Sequence, residues 1–229
     1  MKTSNKKAYV FKMNITTASI FSIVVFLLLV FVTTLIDGVT LFKAYQTPFL
    51  LCLLVGYFFL HELLHGVGFV LGGSKLKNIK LGAALEKGIF YCMSYQELTK
   101  KNILISLQMP FMVIGVITYV IGIVFNIPVL TWLSVLNIMG ASMDLVMFFY
   151  ILRIKNVTYS ESGEPDEFVL ISNEDLSKRK SIFLKLKETK DYKKEDYIFK
   201  DFKRIEISKA SWIVILILIS LDLVTLLLG

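Results

Sequence analysis

Residues 47–72 read TPFLLCLLVGYFFLHELLHGVGFVLG, and this stretch decides how the rest of the chain is read. It is apolar over a length that suffices to cross a bilayer as a helix. Inside it lies His61-Glu62-Leu63-Leu64-His65, and these are the only two histidines in the chain. On a helix, residues four apart share a face, so both imidazoles can reach one zinc ion. The glutamate between them is suited to act as a general base on water activated by that metal.

Composition places the whole chain in a membrane. Of 229 residues, 55% are hydrophobic, above the share usual for a soluble domain. Four further apolar runs are long enough to span: Thr17–Ile36, Ile103–Phe125, Val129–Leu152 and Ser211–Leu228. With Thr47–Gly72 they predict an all-α polytopic membrane protein of about five transmembrane helices. The first run lacks a small-residue cleavage pattern and is read as a retained span.

The basic residues set the expected orientation. Lys and Arg number four in the N-terminal arm, one between the first two spans, six from Ser74 to Asn102, none at Asn126–Pro128 and fourteen from Arg153 to Ala210. This alternation predicts a cell-membrane protein with its N-terminus cytoplasmic and its C-terminus outside. Contact of these lysines with membrane lipids is a natural addition. Nucleic-acid binding is not expected, because the fourteen basic residues of the last segment face twelve acidic ones. Cys52 and Cys92 cannot form a disulfide framework. The sequons at Asn14 and Asn156 fall on the predicted cytoplasmic side and are discounted.

The expected organisation is a membrane core over residues 1–152, a cytoplasmic segment over 153–210 and a fifth span over 211–228. Two small cytoplasmic β-hairpins are expected. One covers 78–98, with Ile79–Leu85 and Ile89–Tyr95 as strands about Glu86-Lys87-Gly88; the other covers Asn156–Asn173 and turns at Ser162–Asp166. The stretch from Asn173 to about Lys209 is charged and expected to be partly helical.

A catalytic zinc takes three protein ligands and keeps one position open. With no third histidine, a carboxylate is needed, and Asp144 and Asp222 both lie inside apolar runs, where a carboxylate is costly. Measured from the start of their spans at ~1.5 Å per residue, His61, His65 and Asp144 fall at similar depth in the cytoplasmic half. Depth therefore favours Asp144, with Asp222 as the alternative. Asn137 lies two helical turns before Asp144 on the same face, with Gly140 and Ala141 between them. It is expected to hydrogen-bond substrate or a group behind the metal ligands. Gly68 and Gly72 are expected to serve close helix packing. Cys92, Glu86 and Glu97 are not expected as ligands, since the loop that holds them would have to fold back.

The set His61-Glu62-Leu63-Leu64-His65 with Gly68, a following hairpin, Pro110-Phe111, and Asn137 with Gly140-Ala141-Ser142 and Asp144 resembles the putative zincin peptidase family of bacterial membrane proteins. The resemblance covers roughly Phe49 to Ile171. It implies an intramembrane zinc metallopeptidase with His61 and His65 as ligands, Glu62 as catalytic carboxylate and Asp144 as the matching aspartate. More distantly the arrangement is similar to the site-2 proteases. The expected substrate is a peptide or membrane protein cut in or near the inner half of the membrane. The alternative is a non-enzymatic zinc-binding membrane protein with a sensing, scaffolding or metal-handling role. An ion-conducting transporter is disfavoured, since polar groups cluster at one depth and no repeat is visible.

Overall fold

The computed structural model describes residues 6–37, 47–84, 89–162, 166–192 and 205–206. Strand β1 (Lys7–Met13) leads into helix α1 (Ile15–Asp37), and helix α2 is Thr47–Leu71. Strands β2 (Ile79–Ala84), β3 (Ile89–Ser94) and β4 (Leu98–Thr99) follow. Next come helix α3 (Lys100–Pro110), a π-helical stretch (Phe111–Ile117) and α4 (Thr118–Val124). Helices α5 (Pro128–Gly140) and α6 (Ser142–Leu152) precede strands β5 (Val157–Glu161), β6 (Glu167–Ser172), β7 (Leu184–Asp191) and β8 (Ile205–Glu206).

The all-α expectation with about five transmembrane helices does not hold. The protein is mixed, with a five-stranded antiparallel sheet in the order β4-β5-β6-β1-β7 and a three-stranded one in the order β3-β2-β8. Among the described residues, two helical stretches are long and apolar enough to cross a membrane, Ile15–Ile36 and Lys100–Val124. The pair α5–α6 makes a third only if it counts as one span, since it bends by 47° at Ala141. The described apolar part of α2, Gly56–Leu71, is shorter. The expected fifth span, 211–228, and Asp222 lie outside the described residues, as does the hairpin turn Glu86-Lys87-Gly88.

The physical reason for the sheet is alternation in segments that carry many charges. In β1, Tyr9 and Phe11 point one way, into the main core with Phe168, Leu170, Leu98 and Ile151. Ala8 points the other way, to Val169 and Ile171, with Val10 packed beside them. A strand buried on both faces belongs in the middle of a sheet, and β1 lies between β6 and β7. Its lysines, Lys7 and Lys12, stand near the strand ends. The stretch after Asn173, expected to be partly helical, instead forms a single 3₁₀ turn at Leu176–Lys178 and then β7. There Leu184 is buried and Leu186 packs on the core, while the lysines between and beyond them point outward.

The sheet closes one end of the helices. Phe69 of α2, Ile103 and Leu107 of α3, and Met147, Phe148 and Ile151 of α6 join the same core as the strands. Pairing of β1, β4, β5, β6 and β7 thus gathers three lysine-rich segments at that end. By contrast, α1 leaves Ile20, Leu27, Leu28, Phe31 and Leu35 more than half exposed. Helix α2 stops at Gly73, whose φ of +108° suits glycine. The Ser74 N–H returns to the Phe69 carbonyl and the Gly73 N–H to that of Val70, closing the helix end.

Two glycines set how close α2 comes to α3. A Cβ on Gly68 would lie 2.4 Å from the Ser106 Cα, and one on Gly72 would lie 2.5 Å from the Asn102 Cα. The backbones touch there, as expected from the spacing of these glycines. Gly140 makes no such close approach: a Cβ there would meet nothing within 4 Å.

Candidate metal centre

The four-residue repeat of the α2 helix brings His61 and His65 to one face, with their Nε2 atoms 3.2 Å apart. Asp144 enters from the first turn of α6. Its Oδ2 lies 3.2 Å from His61 Nε2 and 3.4 Å from His65 Nε2. One donor atom from each of the three residues falls within 4.8 Å of the others, so together they could hold one metal ion. The break at Ala141 matters here. It starts a new helix just before Asp144, and a carboxylate in a first turn is favoured by the N–H groups exposed at a helix start.

The far nitrogen of each imidazole is tied. His61 Nδ1 lies 2.9 Å from Asn137 Oδ1, and Asn137 Nδ2 donates to the Pro110 carbonyl at 3.0 Å. Because the amide nitrogen is used there, the oxygen is what faces His61, and Nδ1–H must be the donor. His65 Nδ1 lies 3.0 Å from the Ser106 carbonyl, which can only accept. Ser106 Oγ donates to the His65 carbonyl at 3.0 Å and locks the same pair of helices from the other direction. With Nδ1 engaged as the donor, each neutral ring would turn the Nε2 lone pair toward Asp144, and the two Nε2 atoms and the carboxylate oxygen are then grouped as ligands to one cation would be. Two imidazole nitrogens and one carboxylate oxygen make a donor set that zinc takes readily.

Glu62 sits between the histidines on α2 and is not a member of the three-residue cluster. Its Oε2 accepts the backbone N–H of Cys92 in β3 at 2.8 Å. The β2–β3 hairpin thus folds back along α2. Phe90 packs on Phe59 with ring centroids 3.9 Å apart, and a Cβ on Gly66 would meet Cys92 Sγ at 3.1 Å. The loop that holds Cys92 does fold back, yet no Cys92 atom joins the cluster of possible ligands. Glu97 is engaged elsewhere, by the Tyr192 hydroxyl, and Glu86 lies outside the described residues.

Asn137 and Asp144 do converge on the histidines, although the helix between them is broken rather than continuous. Ser106 and the Cys92 backbone were not foreseen. A backbone carbonyl or N–H carries no residue-type signature, so neither could be read from composition or spacing. The nearest signal was Pro110, four residues after Ser106.

No curated protein and no solved structure shows significant similarity to the chain. Residues 54–159, which hold all four of His61, Glu62, His65 and Asp144, match the model of the family described as putative zincin peptidase.

Proposed function

We propose that this chain is a zinc metallopeptidase that hydrolyses a peptide bond in or near the inner half of a membrane. The observation that carries the reading is the convergence of His61 Nε2, His65 Nε2 and Asp144 Oδ2, three possible ligand atoms whose geometry suits one cation. The family match supports a zinc peptidase in general terms. The apolar stretches Ile15–Ile36 and Lys100–Val124, with the exposed apolar side chains of α1, support a site set among membrane lipids. The lysine-rich end closed by the sheet is the side proposed to face the cytoplasm.

His61, His65 and Asp144 would hold the metal. Zinc bound there supplies Lewis acidity toward a scissile carbonyl and a water molecule. Glu62 would take a proton from the attacking water and return it to the leaving amine. Asn137 and the Ser106 carbonyl would keep each imidazole turned with Nε2 inward while the reaction proceeds. The substrate is a peptide segment or a membrane protein.

The test compares detergent-purified wild type with Glu62→Gln and Asp144→Ala. Wild type should bind about one zinc per chain, and Asp144→Ala should lose it, as expected of a three-ligand site. Glu62→Gln should keep the zinc while at least one membrane protein accumulates uncut. Unchanged cleavage in Glu62→Gln would sink the mechanism. Zinc binding with no protein accumulating in that variant would turn the reading to a non-enzymatic zinc-binding protein.

A further inference from the structure

Ser106 lies one helical turn before Pro110 in α3. In an α-helix the carbonyl of residue 106 would accept from the N–H of residue 110. Proline has no N–H, so that donor is missing. The next N–H along, that of Phe111, goes to the Gln108 carbonyl. The Ser106 carbonyl is thus deprived of its α-helical donor, at a residue only 1% exposed, and His65 Nδ1 takes it at 3.0 Å. Pro110's own carbonyl is engaged as well. It stands at the entry to the π-helical stretch Phe111–Ile117 and accepts from Asn137 Nδ2, whose Oδ1 faces His61 Nδ1.

We infer that Pro110 is the positioning residue for the His65 imidazole, freeing the Ser106 carbonyl for its Nδ1, while the backbone carbonyl of the same residue, which any side chain would leave in place, anchors Asn137 for His61. This rests on the reading of His61, His65 and Asp144 as metal ligands. A proline in a helix can equally serve only to bend it. What separates the two roles is the missing N–H: bending depends on the ring, whereas freeing a carbonyl depends on having no proton to give. Partners behind metal ligands of this kind typically change metal affinity by roughly 10–100-fold when removed.

Three variants decide it: Pro110→Ala, its ester analogue with lactic acid at position 110, and Asn137→Ala. Alanine restores the N–H. The ester keeps alanine's side chain and has no N–H. The first readout is the ring ¹⁵N shifts of His61 and His65 in metal-free protein, and the second is zinc affinity. In wild type both rings should carry the proton on Nδ1. Pro110→Ala should move His65 toward a mixture of tautomers and weaken zinc by roughly tenfold or more, and the ester should restore both. Asn137→Ala should disturb His61 and leave His65 as it was. The inference is overturned if Pro110→Ala keeps the wild-type His65 shifts and zinc affinity, or if the ester behaves like alanine. Should Pro110→Ala fail to fold, an ester variant with disturbed His65 shifts overturns it equally. Because the shifts are read without metal, a wild type that binds no zinc would defeat the metal reading separately from the positioning role.

Discussion

The backbone N–H of Cys92 in β3 donates to the Glu62 carboxylate at 2.8 Å, so a strand remote from the histidines in sequence holds the side chain proposed as general base. That N–H points away from β2, since it is spent on Glu62, and a proline at this position would leave the β2–β3 ladder intact. Cys92→Pro should therefore keep zinc and the hairpin but lower the rate of cleavage, by roughly tenfold if the bond orients Glu62 as such supporting contacts do. Cys92→Ser keeps the N–H and should cleave at nearly the wild-type rate. Equal loss in both variants would point to the thiol instead of the backbone. The measurement is cleavage rate beside zinc content for the pair.

The α2–α3 contact is expected to tolerate no added carbon at Gly68. A Cβ there would fall 2.4 Å from the Ser106 Cα, a backbone atom that cannot swing aside as a side-chain end can. Gly68→Ala should push the helices apart, at a cost of about 1–3 kcal/mol typical of overpacking. It should also lengthen the His65–Ser106 hydrogen bond and weaken zinc binding. Gly140→Ala, which meets open space, is the control and should change neither. Thermal unfolding and zinc titration in detergent check both.

A pH response is expected from the clasp beyond α6. Desolvation raises the Glu174 carboxyl, but the backbone N–H groups of Asn156 and Lys155, with Arg179, outweigh it and hold the group below its ordinary value. A folded value below the unfolded one gives stabilisation that is present above the unfolded carboxylate range. That stabilisation is lost as pH falls through the folded value. Glu174→Gln should therefore narrow the difference in unfolding temperature between neutral and strongly acidic buffer. An identical difference in wild type and variant would remove Glu174 from the account.

How much of this was legible in the sequence depends on how local each feature is. The face shared by His61 and His65 follows from the helical repeat alone and needs no other part of the chain. The strand pairs at 79–94 and 157–172 follow from alternation and turn residues close in sequence. The nearness of Asp144 to the histidines was legible through depth, because the cost of a carboxylate in an apolar helix narrows where one is placed. The strand in the N-terminal arm was not legible, because its lysines entered only the orientation count and Tyr9 and Phe11 were not weighed as a buried face.

Local periodicity along the chain was enough for the HELLH face and the short-range hairpins, because each depends only on residues close to one another in sequence. Long-range packing was needed to set β1 between β6 and β7, to break α5 from α6 at Ala141, and to bring the Ser106 carbonyl and the Cys92 N–H to His65 and Glu62. The physical reason is that these last contacts use backbone groups common to nearly every residue, and which of them is left for a distant side chain depends on packing between segments far apart in the chain.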